Sequence, residues 1–218
     1  MTPRGQLAER LTRRPPVLYG LLDTGLSPDE DIPPLAAALA SAGVELLQLR
    51  AKRHPTGAFL DLARATRDAL DGSGVPLLIN DRVDVALMAD ADGAHVGAGD
   101  LAPPDARALL GPERILGVTA HDAAELEAVD PAVADYVGYG AVFGTNTRSG
   151  AEICGPEALT AAVAASTLPV VAIGGIRPDN VEALRGSGVA AIAAAASLVS
   201  ARTSPGAVEG FLRALGDW

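Results

Sequence analysis

The feature that most constrains this chain is a unit that recurs along nearly all of it. A short, β-rich apolar run is followed by a polar or glycine-containing turn, then by an alanine- and leucine-rich helical stretch. The runs are VLYGLLD from Val17, ELLQLR from Glu45, PLLIND from Pro76, GAHVG from Gly93, ILGVT from Ile115, DYVGYGAVF from Asp135, PVVAIGG from Pro169 and AAIAAAASLV from Ala190. Between them lie helical candidates such as PPLAAALASAG, GAFLDLARATRDALDG, DAAELEAV, PEALTAAVAAS and PDNVEALRGSG. Several carry Pro near the start and Gly just past the end, the expected helix punctuation.

Continuous apolar strands that alternate with helices indicate a parallel sheet covered on both faces. Eight such units predict a single-domain α/β fold, the (β/α)8 TIM barrel, over residues 17–218, with residues 1–16 as an N-terminal extension. The eighth run is assigned as a strand by position, between a GSG turn and a last helix in PGAVEGFLRAL, although alanine is also the best helix former. An open doubly wound sheet would want a GxGxxG turn after its first strand, and LLDTGLSP does not supply one.

With 218 residues and 49% hydrophobic content, the chain is able to bury a large core. Its net charge of −10 argues against a broad basic surface for nucleic acid, so any anionic ligand must be held locally, by a few cations or a metal. The basic N-terminus, MTPRGQLAERLTRRPP, lacks the apolar core of a signal peptide. No window approaches the roughly 18 apolar residues of a membrane span, so a cytoplasmic protein without membrane partners is expected. The one cysteine, Cys154, is expected to sit inertly at a loop–helix junction. A homo-oligomer is left open.

A barrel places its chemistry where strands end. Those positions are Asp23 and Thr24; Gln48, Arg50 and Lys52, alternating along QLRAK so that all three point one way; Asn80 and Asp81; His95 and Asp100; Thr119 and His121; the polar loop GTNTRSG at 144–150; Gly174 and Gly175; and Ala196 and Ser197. Two cations and an amide at an interior rim are costly without anionic partners. Taken alone, Asp81 and Asp100 each read equally as a helix cap or as a metal ligand. Together, on adjacent strands, they suit Mg²⁺, which takes one or two carboxylates plus substrate phosphates. His95 reads first as a satisfied core or rim histidine. Gly174–Gly175 reads as a tight turn or as bare backbone N–H groups for phosphate.

QLRAK, LLINDRVDVALMADADGAHVGAGD, GVTAH, DYVGYGAVFGTNTRSG and VVAIGGIRPDNVEAL stand in the order, spacing and strand context of the thiamine-phosphate synthases, and from about Val17 to Ala201 the chain resembles that family. The related thiazole tautomerases share the barrel without the metal carboxylates. The resemblance implies condensation of 4-amino-5-hydroxymethyl-2-methylpyrimidine diphosphate with a thiazole phosphate, giving thiamine phosphate and pyrophosphate by a dissociative route. It also implies roles. Asp81 and Asp100 hold Mg²⁺ against the diphosphate, and Arg50, Lys52 and Arg148 neutralise the leaving group. Thr119 stands in for a family serine near the diphosphate. Gln48 and Asn80 bond the diphosphate or the pyrimidine; Thr145, Thr147, Gly174 and Gly175 contact the thiazole phosphate.

The chain departs from the family pattern at Ala51, Ala98-Gly99, Asn146 and Arg148, and the phosphate-binding serine of strand 8 falls on Ala196. Ser197 is one place later, and a one-residue shift in a strand turns a side chain to the other face, which leaves that phosphate to the backbone at Ala195 and Ala196. Rival readings are a tautomerase with His121 as acid and base, another phosphate-handling barrel enzyme such as an aldolase working through Lys52, and a non-catalytic phosphate binder.

Overall fold

The computed structural model describes residues 2–144, 152–199, 206–216 and 218. Eight strands, β1 (Val17–Asp23), β2 (Leu46–Arg50), β3 (Leu77–Asn80), β4 (Gly93–Val96), β5 (Ile115–Ala120), β6 (Tyr136–Tyr139), β7 (Val170–Ile173) and β8 (Ala191–Ala194), pair in chain order. All pairs are parallel, and β8 returns to β1 with Val17 opposite Ala191, so the expected (β/α)8 barrel closes. The helices are α1 (Pro3–Thr12), α2 (Ile32–Ser41), α3 (Thr56–Ala69), α4 (Val83–Met88), α5 (Pro103–Leu110), α6 (Ala123–Glu127), α7 (Gly155–Ala165), α8 (Ala196–Val199) and α9 (Gly206–Gly216).

The two-residue period of the strands sorts their side chains into two apolar layers. Val17, Tyr19, Leu21, Leu46, Leu78, Ile115, Tyr136, Val171, Ala191 and Ala193 fill the barrel interior. Their neighbours Leu18, Leu22, Leu47, Leu49, Ile79, Val137 and Ile192 face outward into the shell built with the helices, where Phe59 and Ala63 of α3 are buried. The strands therefore read as unbroken apolar runs because both faces are dry.

Helix α1 closes the N-terminal end of the barrel. Thr2 caps it by accepting the Gly5 N–H at 3.2 Å, Pro3 opens it, and Leu7 and Leu11 are buried in the interior layer with Tyr19 and Tyr136. Its arginines tie it to the loops that precede the strands. Arg4 Nε donates to Asp135 Oδ1 at 2.5 Å, Arg10 Nη2 to the Gly74 carbonyl at 2.7 Å, and Arg14 Nη1 to the Val189 carbonyl at 3.1 Å.

Three elements differ from the sequence expectation. The run from Asp135 is strand only over Tyr136–Tyr139. The run from Ala190 is not all strand: β8 ends at Ala194, and Ala196–Val199 turns into the short helix α8. Alanine and leucine favour helix once the strand has left its neighbours' hydrogen bonds. PDNVEALRGSG forms a 3₁₀ turn over Val181–Leu184 in place of an α-helix, since few residues remain between Pro178 and Gly186.

Candidate active site

The strands' C-terminal ends surround a cavity of about 700 Å³. Gln48, Arg50, Lys52, Asn80, Asp81, Asp100, Thr119, Gly174, Gly175, Ala195 and Ala196 all line it, as do Asp23, His95, His121 and Ser197. Thr145, Thr147 and Arg148 lie outside the described residues. The interior alternation expected for QLRAK is present: Gln48, Arg50 and Lys52 face the same cavity.

Neither Asp81 nor Asp100 caps a helix. The residue at the start of α4 is Arg82 and that at the start of α5 is Ala102, each without a side-chain cap. Asp81 sits just past β3 in a left-handed conformation, φ 66°, which Asp and Asn tolerate better than most side chains. Its backbone N–H donates to the His95 carbonyl at 2.8 Å. Asp100 is fixed by the Gly97 N–H, donated to Oδ2 at 2.8 Å. The two carboxyl groups come within hydrogen-bonding reach of each other. Burial, then the bond and charge of Asp100, push the Asp81 carboxyl above its usual range, against the pull of Lys52. Among the described residues no group of three or more His, Cys, Asp or Glu side chains forms a metal cage. Two adjacent hard-oxygen ligands at an open rim fit a cation that completes its shell with water and substrate phosphate, as Mg²⁺ does.

The cations have internal partners. The register sets Asp23 opposite Arg50, and Arg50 Nη1 donates to the buried Asp23 Oδ2 at 2.5 Å. Lys52 Nζ lies 3.1 Å from Asp81 Oδ2. These pairs hold both cations over the cavity without an anionic ligand, which answers the cost of placing them there. His121 Nδ1 bonds Glu125 Oε2 at 2.7 Å, and the same oxygen accepts the His121 backbone N–H.

Beneath them a line of hydrogen bonds crosses the barrel interior. Gln48 Nε2 donates to Tyr19 Oη at 2.5 Å; Tyr19 Oη lies 3.0 Å from Tyr136 Oη; Tyr136 Oη lies 2.9 Å from His95 Nδ1; and His95 Nε2 lies 2.7 Å from Thr119 Oγ1. His95 is thus a satisfied interior histidine, and burial lowers its pKa to about 4. Two glycines make room for it. A Cβ on Gly117 would stand 2.2 Å from Tyr136 Cζ and 2.4 Å from His95 Nδ1, and one on Gly138 would stand 3.2 Å from His95 Cε1. Tyr19 and Tyr136 were not among the expected site residues; in an apolar strand an aromatic looks like core. The signal was their parity, since Tyr19 shares the inward face with Leu21 and Asp23.

Gly174 and Gly175 have φ 101° and 63°, and a Cβ on either would meet backbone or Ala141 within 2.5 Å. The pair is a tight turn that also brings its backbone to the cavity. The register argument against Ser197 assumed a strand. Ser197 lies in α8, and its hydroxyl donates to the Ile176 carbonyl at 3.1 Å. Cys154 stands at the start of α7, half-buried, with its thiol pKa raised by burial. No helix among the described residues is long and apolar enough to cross a membrane.

A closed parallel barrel with adjacent carboxylates, two anchored cations and a glycine turn at its mouth defines an enzyme-like site for a small phosphate-bearing molecule. Residues 18–198 match the family model described as thiamine monophosphate synthase. The chain is 39% identical to the thiamine-phosphate synthase of Vibrio parahaemolyticus over 184 residues, covering 83% of this chain and 90% of that protein. It is 43% identical to the thiamine-phosphate synthase of Myxococcus xanthus over 171 residues, 78% of each. A solved structure of a thiamine phosphate pyrophosphorylase from Pyrococcus furiosus superposes with a TM-score of 0.83 at 30% identity, covering 97% of this chain and 98% of that one. The chain belongs to the thiamine monophosphate synthase family, and with it to the transferases that make thiamine phosphate.

Proposed function

We propose that this cavity joins 4-amino-5-hydroxymethyl-2-methylpyrimidine diphosphate to a thiazole phosphate by a dissociative substitution. The bond between the pyrimidine methylene carbon and the diphosphate oxygen breaks, and the leaving diphosphate keeps the electron pair. The thiazole nitrogen lone pair then forms the new carbon–nitrogen bond to the methylene carbon. The observation that carries this reading is the pairing of Asp81 with Asp100 beside Lys52 at the mouth of the barrel.

No nucleophile on the protein is required, so catalysis rests on holding two reactants together and on stabilising the departing charge. Asp81 and Asp100 would hold Mg²⁺, which when bound supplies compact positive charge against the diphosphate oxygens. Lys52, which lies 3.1 Å from Asp81, would add its ammonium charge against the same oxygens. Arg50, braced by Asp23, presents its remaining N–H groups to them, and Arg148 adds a further cation by family resemblance. Thr119 donates its hydroxyl to the diphosphate, while Gln48 and Asn80 orient the pyrimidine end. Thr145 and Thr147, with the backbone at Gly174, Gly175, Ala195 and Ala196, hold the thiazole phosphate.

The test is to incubate the protein with both substrates and Mg²⁺ and to follow pyrophosphate and thiamine phosphate together. Equal formation of the two is expected. Pyrophosphate without thiamine phosphate, or neither, would refute the assignment.

A further inference from the structure

The interior line of hydrogen bonds has a direction. Five groups, Gln48, Tyr19, Tyr136, His95 and Thr119, are joined by four bonds, and each bond uses one proton. The Gln48 amide enters as a donor, so Tyr19 Oη accepts there and its own O–H donates to Tyr136 Oη. The Tyr136 O–H in turn donates to His95 Nδ1. A buried neutral imidazole carries one N–H, which therefore sits on Nε2 and points at Thr119 Oγ1. In the opposite sense Tyr19 Oη would receive two protons, and its own hydrogen would be left in a site only 2% exposed. An unpaired buried donor is disfavoured.

We propose that Gln48, Tyr19, Tyr136 and His95 form a one-way hydrogen-bond line that fixes His95 as its Nε2–H tautomer and leaves the Thr119 hydroxyl proton to be given to an anion in the cavity. No proton is transferred along the line. Tyr19, Tyr136 and His95 are positioning residues, acting through Thr119, and the role of Thr119 rests on the function proposed above.

Three further observations support a built device. Gly117 and Gly138 leave space that any Cβ would take from the Tyr136–His95 contact. The ring of Tyr136 is held edge-on to Tyr19, with centroids 6.2 Å apart and planes at 81°, so its hydroxyl cannot swing freely. Thr119 opens onto the carboxylate side of the cavity: a Cβ on Gly97 would have Asp100 Oδ2 at 3.5 Å and Thr119 Oγ1 at 3.9 Å. A hydroxyl that must accept from His95 is pre-aimed as a donor, which is the form a departing diphosphate needs.

The tautomer is read by ¹⁵N NMR of histidine-labelled protein without substrates, with His95 assigned by its loss in His95→Gln. A bare Nδ1 and a protonated Nε2 are expected; an Nδ1–H tautomer would overturn the proposal whatever the protein's activity. The functional half is read by a double-mutant cycle. Thr119→Val should lower kcat about 10²-fold with little change in KM, and Thr119→Ser should restore most of it. Tyr136→Phe should lower kcat about tenfold in the wild-type background and less than about twofold in Thr119→Val. The same tenfold loss in both backgrounds would mean that Tyr136 acts on the substrate directly, and would overturn the line. If wild-type protein makes no thiamine phosphate, it is the proposed function that fails, and the tautomer result stands by itself.

Discussion

His95 should make this protein sensitive to mild acid, and the size of the effect follows from where the ring sits. In the unfolded chain a histidine titrates near pH 6.5. In the folded barrel burial lowers that to about 4. A base whose pKa is depressed on folding binds more protons unfolded than folded between those two values. Its contribution therefore favours the native state above pH 6.5 and is lost as pH falls towards 4. With these two pKa values, the native state should lose about 2 kcal/mol on going from pH 7.5 to pH 5 through this one group. The perturbation is His95→Gln, which cannot titrate, and the assay is urea unfolding of both proteins at the two pH values. The variant should be less stable at pH 7.5, because the bonds to Tyr136 and Thr119 are disturbed, but the gap between the proteins should shrink by about 2 kcal/mol at pH 5. Other titrating groups are common to both proteins and cancel in the difference. A gap that stayed constant with pH would refute the reasoning and show that His95 protonates freely in the folded protein.

Asp81→Asn and Asp100→Asn should each abolish most turnover while leaving the unfolding midpoint within a few degrees of wild type, since Asn tolerates the left-handed backbone at 81 and neither carboxylate supports the core; full Mg²⁺-dependent turnover in either variant would remove it as a ligand. EDTA should silence the wild type and added Mg²⁺ restore it, measured as pyrophosphate release. Gly117→Ala should cost roughly 1–3 kcal/mol of stability by denaturant unfolding and lower kcat as well, because its methyl group overlaps both Tyr136 and His95. Leu7→Ala should destabilise by about 2–5 kcal/mol, the usual range for an emptied core leucine, although the residue precedes the first strand.

The barrel could be read from the chain because both faces of every strand are dry: eight apolar runs, spaced by helices, have few other ways to bury themselves. The mouth was readable for the same geometric reason, since a polar side chain at the end of such a run has little reason to be there except to face the cavity. What escaped were features that depend on the lateral register of one strand against the next. Asp23 and Arg50 are 27 positions apart and become partners only because β1 and β2 align them. The path from Gln48 to Thr119 uses five different strands. Its two tyrosines are chemically silent in sequence, and the glycines that admit His95 look like ordinary strand-weakening residues. The placing of Ser197 on a helix also escaped, because an alanine-rich segment carries no mark of where strand gives way to helix.

Helix α1 touches no ligand-bearing position, yet Leu7 and Leu11 lie in the same interior layer as Tyr19 and Tyr136. By keeping bulk water away from the underside of that pair, the helix sets the local dielectric in which the hydroxyls and the imidazole polarise one another. Charge–dipole forces at the mouth are thus governed partly from the opposite end of the barrel, some of it by a segment that a sequence alignment beginning at the first strand would leave out. An amino-terminal truncation or a bulky fusion that loosened α1 would be felt as a weaker electrostatic field around the reacting atoms before it was felt as any change in the shape of the cavity.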